Sequence, residues 1–449
     1  MAKTRSVFFC TSCGYESPKW QGQCPSCREW NTFSEAPSAP KQDVKSRWSE
    51  AKPPQLITEV PDTAEMRISL PDQELQRVLG GGLVAGSVSL IAGEPGIGKS
   101  TLLLQLAMRF ERGKVLYVSG EESAEQITQR AKRLGKLNER CYIMTNADPD
   151  LVIESAGQLQ ADLVIIDSIQ TLQASWLDAT PGSLSQIKES TARLIRYAKE
   201  SGCPILLIGH ITKEGSIAGP KVLEHMVDTV LVFEGDQQHI FRILRCTKNR
   251  FGSTQDMGIY LMESEGLKGV DNPSELLIQQ RGADMSGSAI AAIVDGLRPL
   301  IIEVQALASS AVYGTPQRSA TGFDVRRLHM LLAVLEKRCG FKLGAKDVFL
   351  NMAGGLKVQD PAVDLAVAMA ILSSSEDISL PADCTFAAEI GLSGELRAVS
   401  RLEQRIAEAQ KLGFKRIFVA QSAVKSKPKS GIEIVALQRV QDALPKVFG

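Results

Sequence analysis

Short apolar runs alternate with helical patterns between residues 57 and 270. SVSLIAG, KVLYVSG, ADLVIIDS and CPILLIGH are typical of strands, and helical patterns between them include STLLLQLAMRF, a segment from Ser123 and residues 184 to 200. Continuously apolar strands separated by helices are typical of a parallel sheet covered on both faces. The pattern therefore predicts an α/β domain that closes with a β-hairpin of DTVLVFEG and HIFRILRCT.

A different pattern follows from about residue 285. The strand-like run AIAAIVDGLRPLIIEVQALAS leads to the helical patterns RRLHMLLAVLEKR and PAVDLAVAMAILSS, and the chain ends in a basic αβ segment. A chain of 449 residues is long enough for several domains. Residues rich in Pro, Ser and charge indicate a linker. We predict a cysteine unit at 1–35, this linker at 36–56, an α/β domain at 57–270 and an α+β domain at 271–449.

The charge balance excludes a global attraction to nucleic acid or anionic lipid, because the numbers of basic and acidic residues are equal, with 51 Lys and Arg and 51 Asp and Glu. Local basic patches remain at residues 242 to 252, with four cations and no anion, and at residues 401 to 449, with ten cations against four anions. The N-terminus lacks the apolar core of a signal peptide, and no window approaches a membrane-spanning run. We therefore expect a cytoplasmic protein without a membrane partner.

Four of the nine cysteines form two C-x2-C pairs, which are Cys10, Cys13, Cys24 and Cys27. This spacing places four thiolates around one tetrahedral Zn2+. So few apolar residues surround them that we expect the zinc finger to fold only with its metal, which is structural. Beside the cysteines lie Lys19, Trp20, Arg28 and Trp30, which either meet nucleic acid by charge and stacking or pack against a protein.

Residues 93 to 100, GEPGIGKS, match the phosphate-binding loop G-x4-G-K-[ST] and lie between a predicted strand and a predicted helix. Lys99 is expected to neutralise the β and γ oxygens of ATP, and Ser100 to ligate Mg2+. Asp167, which ends the strand ADLVIID, supplies a carboxylate for the same ion. We expect ATP to bind at Gly93, Glu94, Pro95, Gly96, Ile97, Gly98, Lys99, Ser100 and Thr101.

A third carboxylate is needed to polarise the attacking water. Glu121 and Glu122 follow the run VLYVSG, at the carboxyl edge of the predicted sheet, where such folds bind ligands. We expect one of the two to activate water, and the sequence does not distinguish them. A capping pair at the start of a helix is the alternative interpretation.

The runs LGGGLVAG, GEPGIGKS, VLYVSGEES and LVIIDS together resemble the RecA and DnaB group of ATPases. The resemblance implies a RecA-like core in which Glu121 activates water and His210 senses the γ-phosphate, although a lone histidine at a strand end also suits a structural role. The loop ITKEGSIAGPK, residues 211 to 221, matches the position of the first DNA-binding loop in this group. Lys213 and Lys221 would contact phosphates there.

The five residues KNRFG, 248 to 252, follow the predicted hairpin. In the RecA and DnaB group a neighbouring subunit contributes a Lys and an Arg from such a hairpin to the γ-phosphate, which implies this role for Lys248 and Arg250. An extended K-x-R segment directs both side chains to one edge, so both reach one phosphate cluster. A solvated charged surface is the alternative, and contact with nucleotide, DNA or both stays open.

The zinc finger, the RecA-like core and KNRFG together resemble the RadA (Sms) family of bacterial DNA repair proteins over essentially the whole chain. The resemblance implies a homohexamer that hydrolyses ATP and moves on single-stranded DNA like the DnaB helicase. It also implies branch migration of branched recombination intermediates and a RecA-type recombinase as partner. A non-motor regulatory ATPase of the circadian clock type, similar to KaiC, is the alternative.

The C-terminal region resembles the proteolytic domain of Lon, whose active site is a Ser and Lys dyad. Ala362 stands at the position of the nucleophile in DPAVDLAV, and Glu403 at the position of the lysine in GLSGELRAVSRLE. Alanine cannot attack a carbonyl, so we expect no peptidase activity. The α+β domain is instead expected to assemble the ring and to offer basic residues to DNA, such as Lys425, Lys427 and Lys429.

Overall fold

The computed structural model describes residues 7–10, 15–17, 19–36, 56, 58, 67–210, 220–235, 241–278, 285–311, 315–424 and 431–449. Several predicted site residues lie outside these ranges, namely Cys13, Lys213, Lys425, Lys427 and Lys429, as does the side chain of Lys221. The chain divides into two compact units, one of Met1–Glu234, Leu244–Thr254 and Met262–Lys268, the other of Gly235–Ile243, Gln255–Leu261 and Gly269–Gly449. Within the described ranges no helix has both the length and the apolar character that a bilayer crossing requires.

The cysteine unit is a three-stranded antiparallel sheet. Strand β1 (Val7–Cys10) pairs with β2 (Glu16–Ser17) on one side and β3 (Phe33–Ala36) on the other. Among its described residues the core consists of Cys10, Cys24 and Phe33, against which Phe8 and Cys27 pack. A core this small stabilises a fold weakly by itself, which agrees with the expectation that the unit folds only with a metal.

A nine-stranded sheet dominates residues 88–269. Before it, β4 (Arg67–Ile68) and β5 (Leu83–Val84) form a short antiparallel pair around α1 (Gln73–Val78). The nine strands are β6 (Val88–Gly93), β7 (Val115–Ser119), β8 (Cys141–Met144), β9 (Leu163–Asp167), β10 (Ile205–His210), β11 (Thr229–Glu234), β12 (Phe241–Asn249), β13 (Met257–Glu263) and β14 (Gly266–Gly269). Their order is β14, β13, β12, β11, β6, β10, β9, β7, β8, and the six strands from β6 to β11 run parallel.

Five helices connect the parallel strands, and local capping defines where several of them begin. They are α2 (Lys99–Arg109), α3 (Ala124–Leu134), α4 (Pro149–Leu159), α5 (Leu184–Ser201) and α6 (Pro220–Met226). The side chains of Ser123, Asp148 and Ser183 accept backbone amides in the first turns of α3, α4 and α5. Strands β6, β7 and β9 are buried along their whole length, which confirms the parallel sheet predicted from continuous apolar runs.

The second unit is α+β, as predicted. Its strands are β15 (Ser288–Asp295), β16 (Arg298–Ser310), β17 (Arg318–Thr321), β18 (Lys346–Met352), β19 (Cys384–Ala387), β20 (Glu389–Ile390), β21 (Leu396–Arg397), β22 (Arg416–Ala420) and β23 (Glu433–Leu437). Seven of them form a mixed sheet in the order β17, β18, β16, β15, β19, β22, β23, and β20 pairs with β21. The helices are α7 (Pro273–Ile278), α8 (Val325–Cys339), α9 (Asp364–Glu376), α10 (Leu402–Lys411) and α11 (Leu444–Val447). Helix α9 is buried from Asp364 to Ser373 and packs on β15 and β16, so it forms the centre of this unit.

Candidate functional site

The residues predicted to bind and hydrolyse ATP meet where four parallel strands end. Strands β6, β10, β9 and β7 are neighbours, and their register pairs Gly93 with His210 and Ser119 with Asp167. The phosphate loop follows Gly93, and Glu121 follows Ser119 by two residues. The carboxyl edge of the sheet therefore gathers side chains that are far apart in sequence, in the crevice where such folds bind ligands.

The phosphate loop leads from β6 directly into α2. Gly98 precedes the first helical residue with a φ of 115°, a left-handed conformation. A side chain is strained in this conformation, so the backbone here favours glycine, while the contact of 2.9 Å that a Cβ would make to Cε of Met262 involves a flexible side-chain end that can move. Glycine at the N-cap offers no side chain to cap the helix, so among the described residues its first amides remain available to an anion such as phosphate.

The side chain of Lys99 folds back against the phosphate loop. Its Nζ donates hydrogen bonds to the backbone oxygens of Gly93 at 2.7 Å and Glu94 at 2.8 Å, and only 3% of the residue is exposed. Burial lowers the pKa of Lys99 to about 8, although the carboxylates of Asp167 and Glu121 favour its charged form. The ammonium therefore lies at the phosphate loop, and a bound phosphate would further favour its charged form.

Asp167 is fixed through both carboxylate oxygens. Ser100 Oγ donates to Oδ1 at 3.1 Å, and the Tyr117 hydroxyl donates to Oδ2 at 2.6 Å. Burial, followed by the charge of Asp167, raises the pKa of Tyr117, so this hydroxyl remains a donor. A hydroxyl and a carboxylate within hydrogen-bond distance are the hard oxygen ligands that Mg2+ prefers, and the pair fits that ion.

Glu121 and Glu122, which the sequence does not distinguish, have different surroundings. Ser168 Oγ donates to Glu121 Oε1 at 2.9 Å, and His210 Nε2 lies 3.8 Å from the same oxygen. Glu122 instead forms an ion pair with Arg130 at 2.8 Å. Glu121 thus faces the ends of β9 and β10, whereas Glu122 is held by the helix that follows it.

His210 is the predicted γ-phosphate sensor. Burial lowers the pKa of His210, so the imidazole is neutral near neutral pH and its contact with Glu121 is not an ion pair. Its buried Nδ1 has no hydrogen-bond partner among the described residues, and the same is true of buried Oε1 of Gln170. Buried polar atoms usually have partners, so these two atoms fit a site that receives a polar ligand.

Lys248 and Arg250 lie at the opposite edge of the sheet. Lys248 Nζ donates to backbone oxygens at the C-terminal end of α6, at 2.6 and 2.8 Å. Arg250 lies 3.5 Å from Asp228, whose carboxylate and backbone both hydrogen-bond to Val88 at the start of β6. The phosphate loop follows the other end of β6, about 16 Å away by the rise of a strand. The two cations therefore do not face the cradle of their own chain.

Three of the four predicted zinc ligands lie in the described residues and lie together. The sulfur atoms of Cys10, Cys24 and Cys27 lie within 4.8 Å of one another, and those of Cys10 and Cys27 are 3.6 Å apart. Cys10 and Cys24 are fully buried. Sulfur atoms bonded to one tetrahedral zinc at about 2.3 Å are separated by nearly this distance, so the cluster fits the ion.

The two Lon-like positions carry no nucleophile and no ammonium. Ala362 is fully buried in the turn before α9, and its backbone N donates to Asp360 Oδ1 at 3.0 Å. Glu403 is exposed in the first turn of α10. Asp360 forms an ion pair at 2.6 Å with Arg405, which is 1% exposed. The predicted nucleophile position therefore holds the methyl group of Ala362, and the neighbouring Asp360 and Arg405 form an ion pair.

Four residues that lie at the candidate ATP site were not predicted from the sequence, namely Tyr117, Arg130, Ser168 and Gln170. Ser168 and Gln170 directly follow Asp167 in IDSIQT, and a polar run after an apolar strand is a signal that would have found them. Tyr117 carries the only side-chain hydroxyl within VLYV. Arg130 has no local signal, because the folding of α3 brings it to Glu122 and Tyr117.

Three family models match separate parts of the chain. Residues 8–35 match the rubredoxin metal binding domain, residues 52–216 match an AAA domain, and residues 304–423 match subunit ChlI of Mg-chelatase. Together with the sheets described above, these matches give an N-terminal zinc ribbon, a RecA-like α/β ATPase core and a Lon-like α+β domain. The AAA match supports binding and hydrolysis of ATP.

The whole chain is also similar to curated DNA repair proteins. It is 48% identical over 459 residues to the DNA repair protein RadA of Bacillus subtilis, with complete coverage of both chains. It is 46% identical over 452 residues to RadA of Listeria monocytogenes, covering all of this chain and 99% of that one. A crystal structure of a KaiC-like protein from Pyrococcus horikoshii is 18% identical, with a TM-score of 0.39 over 46% of this chain and 99% of that one. The identity to RadA proteins along the whole chain shows that it belongs to the RadA family of bacterial DNA repair proteins.

Proposed function

We propose that this member of the RadA family is an ATP-driven DNA motor. It moves on single-stranded DNA like the DnaB helicase and drives branch migration of recombination intermediates during repair. The observation that carries this proposal is the separation of Lys248 and Arg250 from the phosphate loop of their own chain. Cations at the far edge of the sheet can complete an ATP site only in a neighbouring copy, as a ring requires.

Within one chain, we assign the following roles at the ATP site. Lys99 neutralises phosphate oxygens, and Ser100 with Asp167 holds Mg2+, which supplies charge compensation on the phosphates when bound. Glu121 orients and activates the attacking water, because its carboxylate is directed to the site by Ser168, while Arg130 engages Glu122. His210 senses the γ-phosphate in its neutral form.

Between chains, Lys248 and Arg250 stabilise the charge that develops at the γ-phosphate of the neighbouring site. Lys248 also binds the end of α6, the helix that begins at Pro220, near the end of the predicted DNA loop at 211 to 221. A change in that loop would therefore alter the lysine that serves the neighbour. This connection supports a motor in which DNA contact and hydrolysis are coupled around a homohexamer.

The remaining parts of the chain serve this motor. We propose four segments, a zinc finger at 1–35, a linker at 36–56, the ATPase domain at 57–270 and the Lon-like domain at 271–449. The last assembles the ring and contributes basic surface to single-stranded and branched DNA. It has no peptidase activity, because a buried methyl group stands at the nucleophile position of Ala362. A RecA-type recombinase is the expected protein partner.

The test is ATP hydrolysis by purified protein with and without single-stranded DNA, at several salt concentrations. We expect DNA to stimulate hydrolysis, and we expect this stimulation to weaken as salt rises, because contacts to phosphates are screened by salt. Lys248→Ala should abolish the stimulation. Lys268→Ala is the matched control, because this exposed lysine pairs with Glu263 elsewhere on the sheet. Turnover indifferent to DNA would instead indicate a regulatory ATPase, and cleavage of a peptide substrate would refute the inactive Lon-like domain.

A further inference from the structure

Two tryptophans of the zinc ribbon are exposed beside each other. Trp20 and Trp30 are 54% and 69% exposed. Gly22 lies between them, since a Cβ on this residue would be 3.8 Å from the nearest ring atom of Trp20 and 3.7 Å from that of Trp30. The two rings therefore form one exposed aromatic surface, the Trp20/Trp30 platform, which contributes to neither the ATP site nor the metal site.

The backbone beneath the platform is held by short-range hydrogen bonds. The oxygen of Gly22 accepts from the Asn31 amide at 2.8 Å, next to a β-bridge that includes Trp30. On either side of Trp20, the backbone amide of Lys19 and the side-chain amide of Gln21 each donate to the hydroxyl of buried Ser17 at 3.3 Å. Because the backbone is fixed before a ligand arrives, binding on this surface loses little conformational entropy.

The chemistry around the platform favours nucleic acid over a protein surface. Among the described residues of the ribbon, the large apolar side chains that are exposed are all aromatic, Tyr15, Trp20 and Trp30. Lys19 and Arg28 are exposed close to the tryptophans in sequence, and Glu29 is the one anion between residues 19 and 34, so this stretch carries a net charge of +1. Aromatic faces interleaved with cations are typical of surfaces on which successive bases stack.

We propose that the Trp20/Trp30 platform stacks on bases of single-stranded DNA, with Lys19 and Arg28 beside the backbone phosphates. Every base presents a π face, so such a contact tolerates any sequence, as a moving protein requires. The inference rests on the proposed DNA motor and adds a contact outside its ATPase core. It gives the ribbon a direct function in holding the strand.

The test uses the intrinsic fluorescence of the platform in the full-length chain. The chain has four tryptophans, so Trp48→Phe with Trp176→Phe leaves emission from Trp20 and Trp30 alone. We expect single-stranded oligothymidylate to quench this emission, because bases stack on the rings. An abasic oligomer of equal length, which has the phosphates without the bases, should bind more weakly and leave the emission unchanged. The reciprocal variant, Trp20→Phe with Trp30→Phe, is the matched control.

Affinity gives a second, independent readout. Trp20→Ala with Trp30→Ala should weaken binding of labelled oligothymidylate roughly tenfold or more, and the two Phe substitutions should restore most of it. Zinc content, measured in each variant, shows whether the ribbon is still folded.

Tight DNA binding without any change in platform emission would overturn the inference and leave the proposed motor intact. Absence of all DNA binding would overturn both. A response to purified RecA-type recombinase, but not to DNA, would make the platform a protein-docking surface.

Discussion

Lys99 is the residue at which we expect ATP binding and protonation to be coupled. Its Nζ is buried among backbone oxygens of the phosphate loop, and this burial lowers its pKa to about 8 in the free protein. Phosphate oxygens in direct contact favour the ammonium form, so a bound nucleotide raises the pKa again. Below pH 8 the lysine is already charged, whereas above it each binding event must take up a proton.

We predict that the affinity for a non-hydrolysable ATP analogue is constant below about pH 8 and falls roughly tenfold per pH unit above it, until the pKa of the bound state is reached. Calorimetric titration in buffers of different ionisation enthalpy measures both the affinity and the proton uptake. Lys99→Arg remains charged over this range and should give a flat profile, even if it binds more weakly. A flat profile for the unmodified chain would contradict the prediction.

At this scale the sequence predicts residues whose role depends on local spacing. Lys99 and Ser100 follow from the loop motif, and Asp167 follows from its position at the end of an apolar strand. The different surroundings of Glu121 and Glu122 could not be predicted, because they depend on Ser168 and Arg130 from other elements. Adjacent residues of the same type have the same local pattern, and only tertiary contacts distinguish them.

At the scale of elements, a buried arginine joins α10 to the centre of the second unit. Arg405 is 1% exposed, forms an ion pair with Asp360 at 2.6 Å, and donates to the backbone oxygen of Ala292 on β15 at 2.8 Å. Loss of one partner of such a pair leaves the other charge buried without compensation. The contact therefore stabilises the turn that carries Ala362.

We predict that Arg405→Ala lowers the free energy of unfolding of this unit by about 3–5 kcal/mol. Arg397→Ala is the matched control, because its ion pair with Glu395 is exposed and should contribute at most about 1 kcal/mol. Denaturant unfolding, monitored by hydrogen exchange of the β15 amides, measures the loss of unfolding free energy in each variant. Equal losses for the two variants would show that Arg405 does not contribute as a buried charge.

Much of the element content could be predicted, because the apolar runs and caps that define it are local. The strands in SVSLIAG and ADLVIIDS and the capped helix after Ser123 appear close to their predicted bounds. The strand order could not be predicted, because β6 lies between β10 and β11, which are more than a hundred residues away. Strands of two residues, such as β4 and β5, are too short to show a repeating pattern of apolar and polar residues.

At the scale of the whole molecule, the residues proposed to form a complete ATP site lie at two edges of one sheet. Lys99, Ser100 and Asp167 lie at the carboxyl edge, whereas Lys248 and Arg250 lie beside Asp228 at the amino edge. A single chain therefore carries one nucleotide cradle and one pair of cations that cannot meet. In the proposed ring, two copies arranged head to tail would bring the cations of one to the phosphate loop of the next, and repetition of this contact closes a ring when its rotation allows.

We predict that two inactive variants restore activity when mixed. Lys99→Ala lacks a working cradle but retains its cations, and the double variant Lys248→Ala with Arg250→Ala lacks the cations but retains its cradle. In a mixed ring, the cradle of the second variant meets the cations of the first, so DNA-stimulated hydrolysis should reappear and be greatest near equal amounts. The mixture is compared with each variant alone at the same total concentration. Lack of restored activity in rings shown to be mixed would mean that the cations do not act between subunits.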